Sequence, residues 1–401
     1  MIHHDGTPVV DRRRRAGAAH WNAAQQPTWS DHPDYDTSRA TLGSAPALVG
    51  VAEVDELRRA LAAVAAGHAQ VLQIGDCAES FHETDEAHVR AKLALLHRLS
   101  DALAADSGQE VVRIGRLGGQ FAKPRSRPVE RVGERTLPAF RGHLVNSEEP
   151  SDEARRHDPR RMVRAYELSE RVLAVVRADR ACRAEDFPAG PWASHDALVM
   201  DYETALVRDI EGRRVLTSTH LPWIGDRTRD PGSAHVALLS AVDNPVACKI
   251  GPSATPASVA ALCGRLDPER VPGRLTLIAR LGVDDVEDLL PPIVAAVRRR
   301  GHPVVWLSDP MHGNTFTLGD GLKTRRLADL VEEAVRFRRV VRRAGAHPGG
   351  LHLETATADV TECLGGAVTD AARVPLRYTT LCDPRLNPDQ AAELVRRWSR
   401  S

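Results

Sequence analysis

Residues 246–280 read VACKIGPSATPASVAALCGRLDPERVPGRLTLIAR. An apolar run at 246–250 is followed by an amphipathic stretch at 256–265 and a second apolar run at 275–279. Short apolar runs alternating with helical patterns specify parallel βαβ units. Working outward, similar runs recur at 70–74 (QVLQI), 110–114 (EVVRI), 214–218 (RVLTS), 303–307 (PVVWL), 350–354 (GLHLE) and 378–382 (YTTLC). Further helical patterns lie at 86–105, 284–299 and 322–345. Eight expected strands predict a closed (β/α)8 TIM barrel. An open doubly wound sheet is the weaker reading, because no glycine-rich dinucleotide fingerprint follows the first run. GRLGG at 115–119 follows the second run with the wrong spacing.

Residues 1–45 are polar and turn-rich and read as an N-terminal extension, with Trp21 and Trp29 packing it on the larger body. The barrel domain is expected over 46–401. An insertion around 125–210, after the second strand, carries its own helical pattern at 159–179 and forms a subdomain or lid.

The chain of 401 residues has 54 Lys+Arg against 54 Asp+Glu, so its formal net charge is zero. That balance disfavours a general nucleic-acid or membrane-surface binder. No apolar run approaches the roughly 18–20 residues that span a bilayer. No apolar signal core follows the N-terminal charges, and six scattered cysteines make no disulfide framework. A cytoplasmic enzyme is the expected class. Arg12–Arg15 reads as a solvated segment or a nucleic-acid arm, with no second basic block to support the arm. Lysine occurs only at Lys92, Lys123, Lys249 and Lys323, the other cations being arginine. An ammonium and a planar guanidinium are not interchangeable, so each retained lysine is a candidate for a specific task.

Chemically capable residues cluster just after the expected strands, where barrel enzymes build their sites. Cys77 follows the first run in GDCAES, and His312 follows the 303–307 run in SDPMHGN. Glu354 ends the 350–354 run and Asp383 follows the last. One thiolate, one imidazole and two carboxylates would suit Mn²⁺, Co²⁺, Fe²⁺ or Zn²⁺ better than Mg²⁺ or Ca²⁺. Singly, Cys77 also reads as a buried hydrophobe, His312 as a backbone-bonded imidazole, and the carboxylates as arginine partners. A second, cationic set comprises Arg116, Lys123, Arg125 and Ser126 in RIGRLGGQFAKPRS, then Arg227, Lys249 and Arg280. These would surround a substrate carrying phosphate and carboxylate. Lys249 interrupts an apolar strand, which is unfavourable without an anionic partner. A metal beside an anion cradle points to a lyase, aldolase or synthase of sugar phosphates.

The segments QIGDCAESF, RIGRLGGQFAKPRS, WIGDRTR, KIGPSATP, SDPMHGNT, GGLHLETATADVTECLGG and YTTLCDPRLN, in this order, resemble the class II (plant-type) 3-deoxy-D-arabino-heptulosonate 7-phosphate (DAHP) synthases. The resemblance runs from about Trp21 to the C-terminus. It implies a metal-dependent barrel that condenses phosphoenolpyruvate with erythrose 4-phosphate, the first step of the shikimate pathway. It further implies Cys77, His312, Glu354 and Asp383 as ligands of Mn²⁺ or Co²⁺. The phosphoenolpyruvate contacts would be Arg116, Asp226, Arg227, Lys249 and Arg280, and the aldose phosphate would lie near Lys123, Arg125 and Ser126. Lys123, a candidate general acid, together with Arg116, Lys249 and His312, would form the catalytic set. A homo-oligomer, such as a dimer, is also implied.

Three positions depart from the family pattern. Asp226 stands where the family usually has Glu, Ser308 where it often has Cys, and Thr379-Thr380-Leu381 where it has a Glu before the cysteine. The resemblance leaves open an amino-substituted aldose phosphate as substrate, a secondary-metabolite destination, and a barrel kept as a binding or regulatory subunit. Cys382 adjoins a ligand and is expected close enough to Cys77 for the metal-free thiols to oxidise together. Cys182, Cys248, Cys263 and Cys363 read as structural, Lys92 as a solvated helix residue and Lys323 as a structural one.

Overall fold

The computed structural model describes residues 22–183, 187–319 and 321–401. Eight parallel strands close into a barrel: β1 Ala69–Gly75, β2 Glu110–Arg116, β3 Trp192–Asp196, β4 Leu221–Ile224, β5 Val246–Ile250, β6 Leu275–Ala279, β7 Val305–Ser308 and β8 Pro348–Glu354. Each pairs with its sequence neighbours, and β8 pairs with β1, Gly75 lying opposite Glu354. These strands are buried on both faces, as a parallel sheet wrapped by helices requires. At β8 the register with β7 shifts, and Gly350 passes so close to β1 that a methyl group there would sit 2.0 Å from the Val71 carbonyl oxygen. Only glycine tolerates that approach, at a φ of +140°.

Helices cover the outside, and two further helices precede β1: α1 Tyr35–Ser44 and α2 Val51–Ala65. In α2 the residues Val54, Leu57, Leu61 and Val64 recur at helical spacing. Leu57, Leu61 and Val64 join Val71, Ile114, Trp192, Trp223, Ile278 and Leu307 in one buried cluster. The end of the barrel where the strands begin is therefore packed shut. The outer layer comprises α3 Glu86–Ser107, α4 Arg160–Cys182, α5 Met200–Ala205, α6 Ala234–Ser240, α7 Pro256–Leu266, α8 Val286–Arg299, the short α9 Pro310–Gly313, α10 Leu327–Arg343 and α11 Pro388–Ser399. No helix among the described residues is long and apolar enough to cross a membrane.

Two expected strands are corrected. Residues 214–218 lie outside the barrel: Arg213–Leu216 pairs with Val207–Ile210 around Glu211-Gly212, both at positive φ, as a two-residue hairpin turn demands. The true third and fourth strands are β3 (WASHD) and β4 (LPWI), one polar at its end and the other short and carrying proline. Residues 378–382 are not a strand but a loop after a 3-10 segment, Ala371–Arg377. Between β2 and β3 come a hairpin, 129–138, and α4. Trp29 Nε1 and Tyr35 Oη donate to the Asp201 carboxylate at 2.9 and 2.8 Å, docking residues 22–45 on α5. Arg12–Arg15 and Trp21 lie outside the described residues.

Candidate active site

The carboxyl ends of the strands gather the site. Cys77 follows β1 and is fully buried. Its Sγ lies 3.5 Å from Asp383 Oδ2 and accepts the Asp383 backbone N–H at 3.3 Å. Glu354 ends β8, is ion-paired with Arg325 Nη2 at 2.9 Å and accepts a hydrogen bond from Arg116 Nη2 at 3.1 Å. His312 projects from α9, where Asp309 caps the helix by accepting the Met311 and His312 N–H groups. His312 Nδ1 lies 2.8 Å from Asp309 Oδ2, and Asp309 in turn takes Lys249 Nζ at 2.9 Å.

That geometry sets the proton on His312. Nδ1 faces a carboxylate and so carries the hydrogen, which leaves a lone pair on Nε2. Nε2 stands 3.1 Å from Glu354 Oε1, another acceptor. Burial lowers the His312 pKa below 6.5, against the pull of Asp309 and Glu354, so protonation of the ring is not favoured at neutral pH. Two facing acceptors repel unless a cation sits near them. Donor atoms of Cys77, Glu354 and Asp383 also lie within 4.8 Å of one another. The Lys123 ammonium stands among them, 2.6 Å from Cys77 Sγ, 3.0 Å from Asp383 and 3.4 Å from Glu354. Burial disfavours that charge, but Asp383, Cys77 and Glu354 outweigh it and hold the Lys123 pKa well above its ordinary value. Burial also raises the Cys77 thiol, with Cys382 and Glu354 adding to it. The donor set is thus built for a cation, and a thiol, an imidazole held through its other nitrogen by a carboxylate, and two carboxylates fit a divalent transition metal.

Arg116, at the end of β2, is almost wholly buried. Nε donates to the Asp76 carbonyl at 2.9 Å, Nη1 to His352 Nε2 at 2.6 Å, and the guanidinium stacks over Trp223 at 5.3 Å. Lys249 lies 5.9 Å over the same ring. Arg280 holds Asp226 Oδ2 and the His312 carbonyl, each at 3.1 Å. Asp226 also accepts Arg229 Nε and the Gly251 N–H, both at 2.8 Å. Arg227 is exposed at the rim and reaches Ser126 Oγ at 2.7 Å. Arg125 turns aside to Glu130. So Cys77, His312, Glu354, Asp383, Lys123 and Arg116 form one cluster, with Lys249, Asp226 and Arg280 joined to it through Asp309 and His312.

Lys92 is a correction. Its side chain, on α3, is only 10% exposed and meets Asp76 at 2.8 Å. Asp76 also takes Arg385 Nη1 at 2.6 Å, and Arg385 Nη2 meets Glu362 Oε1 at 2.9 Å. This chain ties the loop that bears Asp383 to the end of β1. Lys323, exposed, meets Asp383 at 2.8 Å, and the neighbouring Cys77 holds the Cys382 thiol pKa below its ordinary value.

Sequence reasoning overlooked Arg325, Asp309 and Glu79. Nothing distinguishes Arg325 among so many arginines. Asp309 had a signal, since an Asp before Pro at a helix start is a cap. Glu79 accepts the N–H groups of Gly118, Gly119 and Gln120 at 2.9–3.1 Å and so shapes the loop leading to Lys123. A second group of donors, His82, His143 and Glu148, is less apt for a metal. His143 Nδ1 accepts the Phe81 N–H at 2.9 Å, so Nε2 carries the proton and donates it to Glu148.

The profile of the class-II DAHP synthetase family matches residues 15–189 and 188–397. The chain is 48% identical to a probable phospho-2-dehydro-3-deoxyheptonate aldolase of Pseudomonas fluorescens, over 94% of each chain. It is 40% identical to a phospho-2-dehydro-3-deoxyheptonate aldolase of Streptomyces coelicolor (93% of this chain, 94% of that one). The corresponding protein of Mycolicibacterium smegmatis is 39% identical, over 97% and 95%. A solved phospho-2-dehydro-3-deoxyheptonate aldolase of Francisella tularensis superposes with a TM-score of 0.51 at 13% identity, covering 93% of this chain and 94% of that one, a likeness of fold alone. The chain belongs to the class-II DAHP synthetase family.

Proposed function

We propose that this barrel joins phosphoenolpyruvate to erythrose 4-phosphate, giving DAHP and inorganic phosphate. The observation that carries this reading is the nest of Cys77, His312, Glu354 and Asp383 around a cationic position, beside Lys249, Arg280 and Arg116. In it, Cys77, His312, Glu354 and Asp383 would hold a divalent metal, Mn²⁺ or Co²⁺ before Fe²⁺ or Zn²⁺. When bound, the metal supplies Lewis-acid polarisation of the aldehyde.

The chain's own residues do the rest. Arg280, Lys249 and the Asp226–Arg227 turn bind the phosphate and carboxylate of phosphoenolpyruvate. Asp226 aims Arg280 through their 3.1 Å contact, although its arm is shorter than the usual glutamate. Lys249 is held by Asp309 and needs no reorganisation as charge shifts in the transition state. Arg116 has its donors engaged with Asp76, Cys77, His352 and Glu354, so it acts mainly by fixing Glu354 and by its field. Lys123 lies within reach of the metal nest and of the loop with Arg125 and Ser126, which takes the aldose phosphate. It is positioned to hand a proton to the aldehyde oxygen as the carbon–carbon bond forms.

The reading extends to a cytoplasmic homodimer feeding a specialised pathway, which light scattering and metabolite profiling of a deletion strain would test. The enzymatic test is phosphate release from phosphoenolpyruvate with erythrose 4-phosphate and Mn²⁺ or Co²⁺, repeated with His312→Ala. Turnover and metal content should both fall in the variant. Undiminished metal binding would remove the proposed nest.

A further inference from the structure

Asp196 ends β3 at the same rim as the cluster, and only 7% of it is exposed. Its backbone is fixed: the Asp196 N–H donates to Gln120 Oε1 at 2.9 Å and the Ala197 N–H to the Trp223 carbonyl at 2.9 Å. Its side chain is left over. Oδ1 is buried with no hydrogen-bond partner. The nearby cations are drawn elsewhere, Lys249 to Asp309, Lys123 to Cys77 and Asp383, and Arg116 to Glu354. Oδ2 lies over Gly225, where a methyl group would come within 3.1 Å of it. The carboxyl therefore faces the residue that leads into Asp226 and Arg227. A buried, unpaired carboxyl is unfavourable and persists where it has a task. The charged and titratable groups that act on it are Arg116 at the end of β2, Lys123 on the loop after β2, its strand neighbour His195, and Lys249 and Cys248 on β5, with Asp226 beyond Gly225 after β4. Burial pushes its pKa up to about 6, the cations pulling against it. That strength suits a base working near neutrality.

Resting on the condensation proposed above, we propose that Asp196 is its base, taking a proton from the water that adds to C2 of phosphoenolpyruvate. C3 bonds to the aldehyde carbon, and the aldehyde oxygen gains a proton. The water oxygen bonds to C2 as one O–H bond breaks toward Asp196. The hemiketal hydroxyl proton then leaves as the C2–O bond to phosphate breaks and C2 becomes a ketone. Of the two water protons, one balances the new hydroxyl and the other departs with inorganic phosphate, and Asp196 is again a carboxylate. The missed strand β3 is why this residue escaped the sequence reading.

The test compares wild type with Asp196→Asn and Asp196→Glu, measuring kcat against pH, KM, and calorimetric binding of phosphoenolpyruvate. The Asn variant should lose about 100- to 10,000-fold in kcat, the range for a general base, while binding phosphoenolpyruvate as tightly as wild type. The acid limb of the kcat profile near pH 6 should vanish in it, and Asp196→Glu should recover part of the rate. A kcat in the Asn variant close to wild type, an unchanged acid limb, or a parallel loss of phosphoenolpyruvate binding would overturn the assignment. If wild type turns nothing over, the condensation reading itself fails; if wild type is active and Asp196→Asn equally so, only this inference does.

Discussion

Replacing Lys249 by arginine is a swap this chain makes almost everywhere else, and here it should damage the enzyme. The ammonium sits in a closed space, 6% exposed, between Asp309 at 2.9 Å and the Trp223 ring at 5.9 Å. A guanidinium keeps the charge but adds bulk and a planar fork, and overfilling a packed interior costs about 1–3 kcal/mol. At about 1.4 kcal/mol per tenfold, that is roughly a 5- to 150-fold loss in kcat/KM if the strain is felt in the transition state. Displacing Asp309 would also turn His312, since one carboxylate holds both. Steady-state kinetics with phosphoenolpyruvate varied, alongside thermal melting, separate a local effect from unfolding. A Lys249→Arg enzyme with wild-type kcat/KM would refute the argument that an ammonium is required, even with the family unchanged.

Arg325→Met removes a fully buried partner of Glu354, and a broken buried pair of this kind costs about 3–5 kcal/mol; calorimetry should show a clear fall in Tm and weaker metal binding, and an unchanged Tm would contradict the pairing. Lys323→Ala breaks only a half-exposed pair with Asp383, so a loss below about 1 kcal/mol is expected, and a larger one would show an unrecognised role. Burial lowers the pKa values of His97, His143, His220 and His235 below 6.5, so the fold keeps neutral rings that the unfolded chain would protonate. Their stability is full above about pH 6.5 and is lost as pH falls toward the lower folded values. Raised carboxyls at Glu79, Asp196 and Glu333 oppose this but are fewer. Urea midpoints should therefore drop from pH 7.5 to 5.5, and a rise would contradict the sign. In metal-free protein, mild peroxide should remove the Cys77 and Cys382 thiols together, with water as the other product; Cys77→Ser should leave Cys382 titratable, and independent loss would refute their pairing.

The barrel was legible because strands such as β6 and β7 are almost wholly apolar runs, the pattern of sheets buried on both faces. β3 and β4 were not, since WASHD carries its polar residues into the site and LPWI is short and contains proline. RVLTS looked like a barrel strand because an outer hairpin also buries Val215 and Leu216. The ligand-like residues were legible because thiol, imidazole and carboxylate groups stood after runs. What could not be read was side-chain pairing: Lys92 with Asp76, Arg385 with Asp76, Arg325 with Glu354, and the unpartnered Asp196. The first is set by how the helix after β1 packs back, and the Asp76–Arg385 pair by closure of the sheet, which joins residues 309 positions apart.

The central claim is that the metal nest and its cation cradle perform one condensation. The measurement that reaches it most directly is product and phosphate yield from phosphoenolpyruvate plus erythrose 4-phosphate, with chelated enzyme, with enzyme reloaded with Mn²⁺ or Co²⁺, and with reloaded Asp383→Asn. One DAHP and one phosphate per phosphoenolpyruvate, absent after chelation, restored by metal and strongly reduced in the variant, is the predicted result. Full activity in chelated enzyme, or no product from reloaded wild type, would contradict it.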